Sequence, residues 1–312
     1  MLGIIKNQAF PIGVDVTDDS LRMVQMKNAD EKGPLVLLAG NCQSCPPDIL
    51  PGTPTWQRWA IDAMRNVCSK SKFAGRHVIA SVPPSEVFID HIKVPKSDSR
   101  DLDETIMTKA KQKLTGEFEN SLVKYITTEE DNVVIIATGR VMIDRHLAIY
   151  EEAGLKIKSI GVWPLALVNA YVKFFGRRST DRETVVMLVD TGVLRTNVVI
   201  CRHQELLFAR SIPVGTKLLK MGESTSRLMA EISACRQSFN TLYKKAKIER
   251  VIFMTGQAVD KDIYTSIAIQ LQLPAQIGDC LSAVSIAEDN LLDMGKRNSQ
   301  FSWATAFGLS LS

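Results

Sequence analysis

An apolar run that ends in Asp-Thr-Gly and returns as a second apolar run constrains this chain more than any other feature. Val185-Val186-Met187-Leu188-Val189-Asp190-Thr191-Gly192 is followed by Val193-Leu194-Arg195-Thr196-Asn197-Val198-Val199-Ile200. Two β-branched runs around a short polar turn predict a buried hairpin. Gly192 allows backbone angles that turn N–H groups toward an anion. Asp190 leaves the strand end at the same spot, where a carboxylate can hold a metal-bound water. Asp-Thr-Gly also occurs in ordinary turns, so one copy decides little.

A second copy lies near the start. Pro11-Ile12-Gly13-Val14-Asp15-Val16 runs into Thr17-Asp18-Asp19-Ser20 and returns as Leu21-Arg22-Met23-Val24-Gln25-Met26. More than half of the chain separates the two aspartates. Two such hairpins predict two related halves facing each other across a cleft. A third stretch, Val251-Ile252-Phe253-Met254-Thr255-Gly256-Gln257-Ala258, predicts a strand leading into a glycine turn.

With 312 residues the chain is long enough for two domains. A hydrophobic content of 45% and a charged content of 23% fit a soluble globular protein. A net charge of +4 does not suggest nucleic acid, although an anionic membrane surface would tolerate it. No stretch approaches the roughly 20 apolar residues of a spanning helix. Met1-Leu2-Gly3-Ile4-Ile5-Lys6-Asn7 lacks the pattern of a signal peptide. The expectation is a cytoplasmic protein that reaches a membrane through a partner. Cys42-Gln43-Ser44-Cys45 has metal-ligand spacing, but no second such pair exists and no histidine lies nearby in sequence. It reads as a reduced pair in a loop.

Along the chain, residues 1–40 predict two or three strands ending at Asn41, then a proline-rich loop over 41–55. A helix follows from Trp56 to Ser69, capped by Thr55. His77 to Val82 predicts a buried strand. Residues 85–157 read as an inserted α/β unit: a strand from Val87 to Val94, a helix from Leu102 to Leu114, a strand from Asn132 to Ala137 and a helix from Arg140 to Glu152. Lys109, Lys111 and Lys113 form a solvated face, or secondarily a dock for an acidic partner or lipid headgroups. Gly161 to Val168 opens a returning helix, and Phe175 to Asp181 predicts a hinge. A further helix spans about Leu228 to Tyr243, closed by Lys244, Lys245 and Lys247.

Taken in order, these motifs resemble the actin-like nucleotide-binding superfamily. Gly13-Val14-Asp15, Ala153-Gly154-Leu155, Phe208-Ala209-Arg210-Ser211-Ile212-Pro213-Val214-Gly215 and Leu271-Gln272-Leu273-Pro274-Ala275-Gln276-Ile277-Gly278-Asp279 narrow the resemblance to the PilM family. Its members are cytoplasmic actin-like proteins of type IV pilus assembly, related to the cell-division protein FtsA. The similarity spans nearly the whole chain. It implies an α/β, actin-like (ribonuclease H-like) duplicated fold: two halves around a cleft, with an inserted subdomain like the 1C subdomain of FtsA. The first half would be 1–182, carrying the insert at about 85–157, and the second 183–312.

The resemblance also implies a nucleotide site at Asp15, Thr17, Ser20, Asp190, Gly192, Thr196, Gly256 and Gln257. ATP or ADP would bind with Mg²⁺ held through water by Asp15 and Asp190, or no nucleotide would bind at all. Several residues depart from the family pattern. Thr17 replaces a glycine, and a β-branched residue resists the angles that glycine allows. Asp18 and Asp19 add negative charge where phosphate would lie; a like-charge pair at ~4 Å costs about 4 kcal/mol at an effective dielectric of 20. Gly161-Val162-Trp163-Pro164-Leu165-Ala166 stands where the family carries acidic residues, and Gly256-Gln257 thins a Gly-Gly pair. His77, His91, His146 and His203 lie in different elements without a nucleophile motif.

The function implied is an adaptor of the inner-membrane platform of a type IV pilus or related secretion system, with ATP hydrolysis weak or absent. It would bind the short N-terminal tail of a PilN-like inner-membrane protein in a groove of the first half bordered by the insert, using Val87, Phe88, Ile89 and Ile92. Self-association is compatible with the fold; nucleic-acid binding and direct membrane insertion are not expected. The alternatives are a working actin-like ATPase, favoured by Asp15 and Asp190, and the cytoplasmic domain of a type II secretion inner-membrane subunit.

Overall fold

The computed structural model describes residues 9–29, 33–94, 99–114, 120–219, 224–254, 260–286 and 302–312. Its first sheet opens with a meander of β1 (Ile12–Val16), β2 (Ser20–Asn28) and β3 (Leu35–Ser44). All of β1 is buried, as an apolar run inside a sheet should be. β3 runs past Asn41, the end that the sequence predicts, because Asn41, Cys42, Gln43 and Ser44 pair with Met23, Arg22, Leu21 and Ser20. Cys42 is therefore a strand residue and not part of a loop pair. All six cysteines are free. Burial pushes the Cys42 and Cys45 thiols up to about 11, so they stay protonated near neutral pH.

Helix α1 (Pro54–Lys70) starts before the expected Trp56. Thr53, not Thr55, is the cap: its hydroxyl accepts from the Trp56 N–H at 3.3 Å. Pro54 fits the first helical position, where a missing N–H is harmless. The predicted stripe of Trp56, Trp59, Ala60, Ala63, Met64 and Val67 is buried against the sheet. β4 (His77–Ser81) then pairs in parallel with β1.

A turn at Pro84–Glu86 leads into a separate three-stranded antiparallel sheet. It consists of β5 (Phe88–Lys93), β6 (Ser121–Thr127) and β7 (Asn132–Gly139), in the order β5-β7-β6, covered by α2 (Ser99–Lys113). Its core is Ile92, Val94, Ile106, Ala110, Val133 and Ile135. β6 has no counterpart among the expected strands, since none of its residues is fully buried: Val123 and Tyr125 pack on this core and Ile126 on the main one. Helix α3 (Arg140–Glu152) does not stay with this sheet: Ile149 and Tyr150 join the core under α1. β8 (Lys156–Gly161) pairs with β4. We therefore propose that the insert ends near Gly139 rather than at 157.

Helix α4 (Trp163–Phe174) crosses to the second sheet, built from β9 (Val185–Thr191), β10 (Thr196–Arg202) and β11 (Glu205–Ile212). After α5 (Thr216–Leu219) and α6 (Thr225–Leu242), β12 (Ile248–Phe253) pairs in parallel with β9. Helix α7 (Lys261–Leu271) leads to β13 (Ala275–Ile277), parallel to β12. The order β11-β10-β9-β12-β13 repeats β3-β2-β1-β4-β8. In both, three antiparallel strands are followed by two parallel ones, which is the duplication that the paired hairpins predict.

The chain then returns to the first half. β14 (Ser285–Ile286) pairs with β3, and α8 (Ala304–Ser310) lies on β1 beside α4. We propose that the second half stops before β14 rather than running to residue 312. Every residue of α8 is buried. Its approach is so close that a Cβ on Gly308 would stand 1.8 Å from the Ala166 carbonyl oxygen, and one on Gly13 2.1 Å from the Ala306 carbonyl oxygen. Around α4 and α8, Val24 and Leu37 of the first sheet share one apolar cluster with Val186, Leu188 and Val199 of the second.

The insert grips the second half through the β6–β7 turn. Arg202 donates to both Glu129 oxygens, at 2.8 and 3.1 Å. The Glu130 carboxylate accepts from the backbone N–H groups of Lys244 and Lys245, each at 2.8 Å. Asn132 Nδ2 donates to the Leu242 carbonyl at 3.0 Å, and the Thr128 and Tyr243 hydroxyls bond at 2.7 Å. Glu130 and Asp131 hold left-handed angles, with φ of 55° and 59°, to aim the turn. Glu130→Ala should raise amide exchange at Lys244 and Lys245 about tenfold, as loss of charge-assisted bonds predicts. Exchange spread evenly over α6 instead would show that the turn does not anchor this corner.

Candidate functional site

The two hairpin turns face each other across a cleft, as the duplicated sheets require. β1 carries Asp15 to the cleft and β9 carries Asp190. In each hairpin the residue directly across from the aspartate is seven positions later: Arg22 opposite Asp15, and Asn197 opposite Asp190. Neither partner was singled out from sequence, although the tight turns fix this spacing. Trp163, Ser302 and Thr305, at the starts of α4 and α8, complete the wall.

Arg22 and Asp15 form a buried ion pair. Arg22 Nε and Nη2 both lie 3.0 Å from Asp15 Oδ2, with both side chains under one-tenth exposed. Burial pushes the Asp15 carboxyl up, and Arg22 pulls it back. The first turn is bonded to itself. Thr17 Oγ1 donates to Asp19 Oδ1 at 2.9 Å, and Ser20 Oγ donates to the same oxygen at 2.5 Å. Asp18 turns aside to accept from Ser85 Oγ at 2.8 Å. Burial raises its pKa, and Arg195 across the cleft lowers it.

In the second turn Gly192 does not use a left-handed angle. Its missing side chain serves a close approach instead, since a Cβ would stand 3.3 Å from the Arg195 carbonyl oxygen. The Thr196 hydroxyl donates to the Val214 carbonyl at 2.7 Å, a bond within the second half and not toward the cleft. Gly256 and Gln257, the expected adenosine turn, lie outside the described residues.

Asp190 Oδ1 and Asn197 Oδ1 are buried and have no hydrogen-bond partner among the described residues. Burial pushes the Asp190 carboxyl up to about 6, against the pull of Ser302 and Arg22. The cavity that these groups border measures about 40 Å³. That is room for a few waters or one ion, whereas small-molecule sites span about 300 Å³ or more. The charges around it are mixed, with Arg22 and Arg195 among four aspartates. Asp15 is engaged by Arg22, and Asp18 and Asp19 remain acidic neighbours. Among the described residues no group of three or more His, Cys, Asp or Glu could hold a metal.

The candidate partner residues part company. Val87 and Ile92 are buried, and Ile92 belongs to the core of the insert. Phe88 and Ile89 are half-buried. Ile89 borders an open groove of about 680 Å³ between β5, β11 and α6, with Phe208, Arg210, Gln237 and Thr241 around it. This groove lies between the insert and the second half. His91 closes one end: its ring stacks on Phe208 with centroids 4.4 Å apart and accepts from the Ala209 N–H at 3.3 Å. Burial lowers its pKa to about 4, so it is neutral at physiological pH. Lys113 is used in pairing with Asp90 at 3.1 Å. No helix among the described residues is long and apolar enough to cross a membrane.

The sequence pattern of the family described as "Type IV pilus assembly protein PilM" matches residues 13–222. Among solved structures, the chain is similar to one described as "PilM-PilN type IV pilus biogenesis complex". The TM-score is 0.78 at 16% identity, covering 96% of this chain and 97% of that one. It is also similar to the ethanolamine utilization protein EutJ from Carboxydothermus hydrogenoformans, with a TM-score of 0.53 at 12% identity, covering 97% and 89%. A Bacteroides thetaiotaomicron protein "with actin-like ATPase fold and unknown function" matches with a TM-score of 0.50 at 11% identity, covering 91% and 96%. No curated protein matches the chain.

Proposed function

This chain belongs to the PilM family of type IV pilus assembly proteins, and on that premise we propose that it is a cytoplasmic adaptor with a degraded nucleotide site. Its fold is the actin-like one. In this reading the chain binds the N-terminal cytoplasmic tail of a PilN-like inner-membrane protein and is held at the membrane by that tail. The similar solved structure described as a PilM–PilN complex supports the partner class. The tail would dock against the insert, with Phe88 and Ile89 offering apolar surface.

The Arg22–Asp15 pair is the observation that carries the degraded site. A carboxylate paired in this way is not free to order the water shell of Mg²⁺. Trp163 opens α4 where an acidic group would align a water, and an indole cannot do that work. The contrary reading, a working ATPase, has one point in its favour: the two unpartnered oxygens of Asp190 and Asn197.

Two measurements test the proposal. Protein denatured after purification should release no stoichiometric ATP or ADP, and Mg²⁺-dependent hydrolysis should stay far below ~1 per second, the low end of ordinary turnover. Immobilised synthetic tails of PilN-like proteins should retain the intact chain, and Ile89→Asp should weaken retention at least tenfold. Turnover above that rate, abolished by Asp190→Ala, would reverse the reading of the cleft. Failure of every tail to bind would reverse the reading of the partner.

A further inference from the structure

The two hairpins put different groups at equivalent places. Opposite Asp15 stands a guanidinium; opposite Asp190 stands an amide. Arg22 is 5% exposed and reaches the same cavity as Asp190, Asn197 and Asp19. Its Nη2 also points at Thr17 Oγ1, 3.4 Å away, so the guanidinium lies along the floor of the first turn. The field of Asp15, Asp19 and Asp190 acts on it together. Across the cleft, Asp190 and Asn197 are both more than nine-tenths buried, and the Oδ1 of each has no partner among the described residues. Buried oxygen acceptors of this kind are the atom type that hard cations take, although the described residues do not by themselves make a metal site.

We infer that Arg22 takes the place of a bound cation in this cleft: its fixed charge offsets the carboxylates and keeps metal ions out. The inference rests on the reading of the nucleotide site as degraded and says what replaced the metal. A positive charge tied to β2 cannot dissociate, so the charge pattern of the cleft is independent of metal supply. Removing that charge leaves Asp15, Asp190 and Asn197 with oxygens and no counter-ion. The cavity, about 40 Å³, has room for one ion.

The probe is terbium ion without nucleotide, read by luminescence sensitised through Trp163, which lines the cavity. Wild-type protein should show no saturable signal up to about 1 mM. Arg22→Gln should bind one ion with an affinity at least tenfold tighter than any wild-type signal, and Arg22→Lys, which keeps the charge, should not. Because Arg22→Gln leaves Asp15 alone in a buried site and can fail to fold, the Asp15→Asn/Arg22→Gln double variant is the second arm. It removes both charges and should still gain a terbium site that Asp190→Asn abolishes. Saturable binding by the wild type, lost in Asp190→Asn, would overturn the inference. So would the absence of any gain in a double variant shown by circular dichroism to be folded. Neither result bears on tail binding, and wild-type Mg·ATP binding would instead sink the underlying reading of the cleft.

Discussion

Replacing Gly308 by alanine is expected to cost about 3 kcal/mol or more, at the upper end for overpacking. The added carbon would stand 1.8 Å from the Ala166 carbonyl oxygen and 2.5 Å from its carbonyl carbon. Those atoms belong to the backbone of α4, so no side-chain rotation relieves them. Helix α8 would have to lift away from α4, and it is packed on every side. Lifting would also disturb the edge-on contact of Phe307 with Phe174, whose ring centroids are 5.5 Å apart. Urea unfolding of Gly308→Ala gives the loss directly. Ala166→Gly in the same background should not restore stability, because the clash is with the carbonyl group and not with the Ala166 methyl. A loss below 1 kcal/mol, or full rescue by Ala166→Gly, would mean that the α4–α8 contact is looser than described.

The second large effect is at Asp190, and it depends on pH. In the unfolded chain the carboxyl titrates near 3.8, and in the folded protein near 6. A group whose pKa rises on folding binds its proton better in the folded state. The stability it lends is complete below the unfolded value and is lost as pH rises through the folded one. The window is therefore about 3.8 to 6, and above it the full cost of the buried charge is felt. Two units correspond to about 3 kcal/mol. Asparagine does not ionise and escapes this cost; its amide can also donate to the unpartnered Asn197 Oδ1. Asp190→Asn should be more stable than wild type at pH 8, by up to about 3 kcal/mol, with most of that gain gone by pH 4. Chemical unfolding at both pH values measures the difference. A gain of equal size at both would place its origin in packing rather than in charge.

The architecture was legible in the sequence where periodicity and repetition carried it. Two Asp-containing hairpins announced two similar sheets, and five strands of each follow the same order, with β14 added to the edge of the first. The separate three-stranded sheet was legible in part, from the β-branched runs of β5 and β7. Arg140 to Glu152 reads as a helix wherever it packs, and only tertiary contact shows that Tyr150 lies under α1. The return of residues 304–310 to the first half was invisible for a similar reason. A short run of Ala, Thr, Phe, Gly and Leu says that it is buried but not against what. At the cleft, Asp15 and Asp190 were found by their motifs. Arg22 and Asn197 were not, because a residue on a returning strand shows its role only once the register is known. The bond that the Thr196 hydroxyl gives to the Val214 carbonyl was not legible either, because it too depends on how the strands and loops pack.

The grip of the β6–β7 turn on the second half has a mechanical consequence. Two rigid bodies joined along one line can swing about it, as a door does. Here the halves are joined around α4 and α8 and again, through the insert, at Glu129, Glu130 and Asn132. A second attachment, set apart from the first, resists the swing that a single one allows. A tether pulling on the insert would pass its force into Arg202 and the end of α6 as tension shared among several short polar links.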